Sequence, residues 1–206
     1  MTDDTAANAM KPLTVAFFGI SGSGKGTQAS LLIDVLKDKD PKRKAARAEM
    51  GDFLRAYGQE NTPISKRVHE ILLTGGLVPS FVAIYMLTRY FDAEVEGDEH
   101  FIFDGTCRRP EQSIAVDELA RFYGRTDLHV VTLTLSKEAA RERLIARGRP
   151  DDATEEALNR RFSWYTEQVV PSIEKLHELG WTMHEIDGAP DIQTVHKNIL
   201  SALNLA

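Results

Sequence analysis

The chain predicts an α/β fold, a five-stranded parallel sheet covered on both faces by helices, and two observations carry that reading. Short apolar runs alternate with helix-length amphipathic segments along the chain. A glycine-rich segment follows the first apolar run and opens the first helical stretch. The strand-like runs are 13–18, 45–49, 101–103, 129–135 and 181–186. Helical segments are expected over 27–37, 52–57, 64–73, 80–94, 110–122, 137–146, 154–179 and 191–203, with Pro171 kinking the longest. Gly75-Gly76 and Gly97-Asp98 mark turns, and Gly180 stops a helix before the last strand. In such sheets ligands gather beyond the C-terminal strand ends, where Gly19, Asp104 and Asp187 fall.

With 206 residues, the chain is long enough for one substantial core with small inserts, and 42% hydrophobic and 27% charged residues are ordinary globular values. A net charge of −6 argues against nonspecific nucleic-acid binding, which needs a basic surface. The lone Cys107 cannot form an internal disulfide, and the histidines lack metal-ligand spacing, so no zinc is expected. Residues 1–11 are small, polar and acidic, without an apolar leader pattern, and read as a loose tail. The expected protein is cytoplasmic, without membrane or nucleic-acid partners.

The segment Gly19 to Gln28 reads Gly-Ile-Ser-Gly-Ser-Gly-Lys-Gly-Thr-Gln, with Gly19, four residues, then Gly24-Lys25. This is the spacing of a phosphate-binding loop: small residues turn successive N–H groups inward, the helix N-terminus adds positive potential, and Lys25 adds a full charge. A bare turn is the competing reading, but a lysine at a helix N-terminus opposes the dipole unless an anion sits there. Gly26 stands where most such loops carry Ser or Thr, and the hydroxyl comes one residue later at Thr27.

Phe101-Ile102-Phe103-Asp104 is an apolar strand ending in a carboxylate, the form expected of a residue that holds Mg²⁺ through water. Helix capping is the structural alternative. Gly105 then turns the chain, and Arg108 follows within reach of an acceptor phosphate.

From Leu13 onward the sequence resembles the adenylate kinase branch of the nucleoside monophosphate kinases. The likeness rests on the Gly19–Gln28 loop, Met50-Gly51-Asp52-Phe53-Leu54-Arg55, Gly76-Leu77-Val78-Pro79, Asp104-Gly105 with Arg108 and Gln112, Arg143 and Arg147, Arg149-Pro150-Asp151-Asp152 with Arg161, and Asp187-Gly188. The resemblance implies a three-layer P-loop NTPase fold in a single domain at 12–206. A helical acceptor-binding insert is expected at about 50–79 and a minimal lid at about 148–153. It also implies reversible, Mg²⁺-dependent transfer of the γ-phosphoryl of ATP to AMP by a monomer. Gly22, Ser23, Gly24, Lys25, Gly26, Thr27, Arg143, Arg147 and Gly188 would bind ATP. Met50, Gly51, Arg55, Leu77, Val78, Gly105, Arg108, Gln112, Arg149 and Arg161 would bind AMP. The resemblance gives Lys25, Arg55, Arg108, Arg147, Arg149 and Arg161 the catalytic role, and Thr27 and Asp104 the metal.

The chemistry wants arginines because transfer between two polyanions requires in-line positioning and neutralisation of charge, which planar guanidinium forks supply. Taken without the resemblance, Arg143 and Arg147 could equally form a solvated helix face, and Asp152-Ala153-Thr154-Glu155 reads as a capping box.

The sequence departs from the family pattern at three places. Met50 replaces a threonine, so base reading falls to Gln112, whose amide suits adenine. Thr106-Cys107 replaces an aromatic-Pro pair, leaving open whether the bond before Cys107 is cis, and Cys107 reads as a packing residue or a redox-sensitive thiol. The lid is shorter than in short-lid relatives, so closure of the 50–78 segment is expected to help exclude water. CMP, UMP or dTMP as acceptor, or a non-catalytic ATP-binding regulator, are the alternatives.

Overall fold

The computed structural model describes residues 10–148 and 154–206. The central strand β1 (Thr14–Gly19) is buried at every position, as expected of a strand covered on both faces. On one side it pairs with β3 (His100–Asp104), which pairs with β2 (Ala45–Glu49). On the other it pairs with β4 (Leu128–Thr134), which pairs with β5 (Thr182–Asp187). All pairings are parallel and the order is β2-β3-β1-β4-β5, the five-stranded sheet that the strand-and-helix alternation predicts.

Alternation along β1 divides the core. Val15 and Phe17 pack with Ile102, Val131 and Leu133 against Leu32 and Leu36 of α1 (Lys25–Lys39) and Val195 and Ile199 of α9 (Ile192–Ala202). Ala16 and Phe18 face the other layer. There Phe101 and Phe103 meet Phe91 of α4 (Ser80–Glu94), Val116 of α5 (Pro110–Phe122) and Leu176 of α8 (Val170–Glu178). Removing a buried phenylalanine side chain of this kind costs about 3–5 kcal/mol. A third, smaller cluster joins Ile20 to Leu144 of α6 (Lys137–Arg147) and to Leu158 and Phe162 of α7 (Glu155–Trp164).

Between β2 and α4 lie α2 (Met50–Tyr57) and α3 (Pro63–Leu73). Helix α2 starts at the residue after β2, earlier than the sequence suggests, so Gly51, Asp52 and Arg55 project from the β2 end of the sheet. Thr62 caps α3 reciprocally with Ser65.

The long helix expected over 154–179 is divided. A π-helical turn, Tyr165–Val169, separates α7 from α8 and absorbs Pro171, which cannot donate a backbone hydrogen bond and sits in the first turn of α8. The helix start also differs: the cap of α7 is Thr154, whose side chain accepts from Ala157 N at 3.1 Å. Asp152 lies outside the described residues.

Candidate active site

Beyond the C-terminal ends of the central strands lies a cavity of about 800 Å³. Lys25, Asp104, Arg55, Arg108, Arg143, Arg147 and Arg161 all line it, along with the whole 21–28 stretch, Gly51, Gly105 and Gly188. Segments remote in sequence converge because each follows, or packs behind, a strand that ends at the same edge of the sheet. Among the described residues no group of three or more His, Cys, Asp or Glu forms a metal-ligand cluster, and no helix is long and apolar enough to cross a membrane.

The loop between β1 and α1 is shaped by glycine. Gly22 has φ +89°, and a Cβ there would sit 2.6 Å from the Ala140 carbonyl oxygen, so the loop closes on α6 only without a side chain. Helix α1 starts at Lys25, leaving first-turn N–H groups directed at the cavity. The Lys25 ammonium donates to the carbonyls of Gly19 at 2.8 Å and Ile20 at 3.2 Å. Burial pushes its pKa down to about 8; Asp104 pulls it upward, while Arg108, Arg147 and Arg161 push it further down. An arriving polyphosphate relieves this concentration of positive charge.

The arginines come from separate elements. Arg55 on α2 pairs with Asp52, one turn earlier. Arg108 donates through Nε to the Gly105 carbonyl at 3.1 Å and lies 5.6 Å from the ring centre of Trp164. Arg143 donates to the carbonyls of Gly188 at 3.0 Å and Ala189 at 3.3 Å, tying α6 to the turn after β5. Arg147 and Arg161 enter from α6 and α7. Arg149 lies outside the described residues.

Of the cavity residues that the sequence reading does not single out, two are charged neighbours on β2, Arg47 and Glu49. Arg47, on β2, donates to Asp104 Oδ2 at 2.6 Å, Ser30 Oγ at 2.8 Å and the Gly26 carbonyl at 3.2 Å, and pairs with Glu49 at 2.7 Å. A Cβ on Gly26 would meet this guanidinium at 3.2 Å, so the glycine after Lys25 makes room for it. The available signal was strand parity: Ala46 and Ala48 are buried in the α4 layer, which turns Arg47 and Glu49 together to the α1 face. Glu49 stands above the usual carboxylate range, chiefly through burial, with Arg47 opposing and Asp104 adding to the rise.

The family model described as Adenylate kinase matches residues 17–180. The chain belongs to the adenylate kinase family. Curated relatives named adenylate kinase include that of Thermus thermophilus, 32% identical over 195 residues and covering 93% of this chain and 97% of the relative. That of Nocardioides is 31% identical over 197 residues, covering 94% and 98%. That of Azobacteroides pseudotrichonymphae is 29% identical over 196 residues, covering 93% and 97%. These relatives make the protein a nucleoside monophosphate kinase, a phosphotransferase.

Where this adenylate kinase family member departs from the family pattern, the structure shows what the substituted residues do. Met50 is 1% exposed and packs in the α4-side core with Leu54 and Val82, and Val78 joins the same cluster. Neither they nor Leu77 line the cavity. Gln112 is also buried, because both ends of its amide serve the fold: Oε1 accepts from Arg108 N at 2.8 Å and Nε2 donates to Ser80 Oγ at 3.1 Å. No peptide bond among the described residues is cis, so Thr106–Cys107 is trans, and Arg108 reaches the cavity regardless. Thr106 Oγ1 donates to the Ala48 carbonyl at 3.0 Å, pinning this turn to β2. Burial pushes the Cys107 thiol up to about 12, leaving it a packing residue with little thiolate character. Asp187, placed at the crevice by sequence, instead accepts from Ala189 N at 2.9 Å and does not line the cavity.

Proposed function

We propose that this protein is an adenylate kinase, transferring the γ-phosphoryl of ATP to AMP, reversibly, to give two ADP. The observation that carries the reading is the convergence of Lys25, Asp104 and the arginines Arg55, Arg108, Arg147 and Arg161 on one cavity. The 22–27 loop and Lys25 take the donor phosphates, with Arg143 and Gly188 beside the donor base. Arg55 and Arg108, on the side of α2 and β3, take the acceptor phosphate. An ionised acceptor oxygen forms the new P–O bond while the bond from γ-phosphorus to the β,γ-bridging oxygen breaks. The attacking oxygen carries no proton that must be removed, so no general base is needed. The four arginines and Lys25 hold both phosphate chains in line and offset charge on the transferred group.

The residues present fit Mg²⁺. Asp104 and the Thr27 hydroxyl are hard oxygen donors lining the same cavity beside the phosphate loop. Bound there, Mg²⁺ would neutralise phosphate charge and orient the donor chain. Residues 50–79 serve as the acceptor-side insert. Trp164 Nε1 donates to the Gly75 carbonyl at 3.0 Å, so the end of that insert is tied to the helix behind the lid. The protein is proposed to act as a cytoplasmic monomer. A coupled assay with ATP and each of AMP, CMP, UMP and dTMP tests the reading. ADP formation that requires AMP supports it, whereas ATP binding without acceptor-dependent ADP contradicts it.

A further inference from the structure

Glu49 and Asp104 are register partners at the ends of neighbouring parallel strands, so their side chains leave the sheet on the same face, about 5 Å apart at the backbone. Two carboxylates so placed attract a cation, and this chain supplies one from within. The Arg47 guanidinium reaches Asp104 at 2.6 Å and Glu49 at 2.7 Å. Bonds to Ser30 Oγ and the Gly26 carbonyl anchor it from the α1 side. Among the described residues, Arg47 is the hydrogen-bond partner of the Asp104 carboxylate.

We propose that Arg47 is a positioning residue: it is the resident counter-cation of the Glu49–Asp104 pair and keeps a divalent metal out of the cleft until nucleotide phosphates arrive to share it. This rests on the reading of Asp104 as a residue that holds Mg²⁺. A free divalent ion must take Asp104 from a guanidinium that four protein acceptors orient, without gaining an extra ligand in exchange. A nucleotide-borne ion brings phosphate oxygens, which complete its coordination and need only one carboxylate from the protein. The forked planar group suits this task because it spans both carboxylates at once, whereas an ammonium is a single point charge.

The test uses Mn²⁺ as probe, titrated by electron paramagnetic resonance into the nucleotide-free protein. The natural protein is expected to bind Mn²⁺ weakly. Arg47→Gln is expected to bind it at least about tenfold more tightly, since the two carboxylates lose their cation. Arg47→Gln with Glu49→Gln is expected to return toward the natural value. Equal Mn²⁺ affinity in the natural protein and a folded Arg47→Gln variant, judged by circular dichroism, overturns the proposal. Should Arg47→Gln not fold, Arg47→Met, which keeps an unbranched side chain without the charge, decides the matter: a gain in Mn²⁺ affinity supports the proposal, and an unchanged value overturns it. ADP formation by the natural protein from ATP and AMP is measured separately, so failure of the kinase reading is distinguishable from failure of this one.

Discussion

Lys25 should make ATP binding depend on pH in a range where few surface groups titrate. Its ammonium is enclosed by the loop, hydrogen-bonded to Gly19 and Ile20 carbonyls, and its pKa is lowered to about 8. A group with that pKa is about 90% protonated at pH 7 and about 10% at pH 9, and only the charged form attracts the triphosphate. ATP affinity should therefore fall about tenfold between pH 7 and pH 9, or about 1.4 kcal/mol. Bound phosphate raises the lysine's pKa, so binding near pH 9 takes up a proton. Isothermal titration calorimetry in buffers of different ionisation enthalpy reads both the affinity and that proton. In Lys25→Arg the charge persists across the range, and the slope should flatten. An unchanged slope in Lys25→Arg, or no slope in the natural protein up to pH 9, would refute the reasoning. The stability effect has its own sign. Because the folded pKa lies below the ordinary 10.5, the charged lysine costs stability below pH 8, and the cost is relieved as pH rises from about 8 toward 10.5.

Three further outcomes are expected. Gly22→Ala forces a side chain onto φ +89° and into the Ala140 carbonyl, so urea unfolding should show a loss of about 1–3 kcal/mol; unchanged stability would show that the loop relaxes freely. His100 is fully buried, accepts through Nδ1 from Leu13 N at 2.9 Å, and is lowered to about 4 by burial, with Arg43 and Arg125 assisting against Asp40 and Asp98. Its unfolded pKa is near 6.5, so stability should drop by roughly 1–2 kcal/mol as pH falls from about 6.5 to about 4, and His100→Asn should flatten that slope. Gln112→Ala removes the amide that fixes Arg108 N, so kcat/KM for AMP should fall about tenfold while KM for ATP stays constant. Equal losses for both substrates would place Gln112 outside the acceptor side.

The phosphate loop was legible because its signal is local: glycines, lysine and helix start lie within ten residues of one another, and short-range sterics set the backbone. The inner strands β1, β3 and β4 were legible for a similar reason, since they stand out as largely apolar runs between amphipathic helices, whereas β2 and β5 are half polar and were placed by their spacing between helices. Arg47 was hidden because alternation assigns it a face but not a partner, and Asp104 reaches it only through β2–β3 pairing. The use of Gln112 depends on Ser80, thirty-two positions away on another helix. Met50 faces the core because α2 begins at that residue, a boundary that periodicity does not fix. Pro171 marked the irregular helix correctly, yet the distortion falls in the turn before it, where the missing hydrogen bond must be absorbed.

The central claim is that backbone amides, Lys25 and arginines from distant segments hold two nucleotides end to end in one cleft. A crystal structure with a dinucleotide of two adenosines joined by a polyphosphate chain tests it most directly. One adenosine should lie beside Arg143 and Gly188, the other beside Gly51 and Gly105, with the phosphates running from the 22–27 loop to Arg55 and Arg108. Phosphates bound away from Lys25, or Arg55 and Arg108 turned away from them, would contradict it.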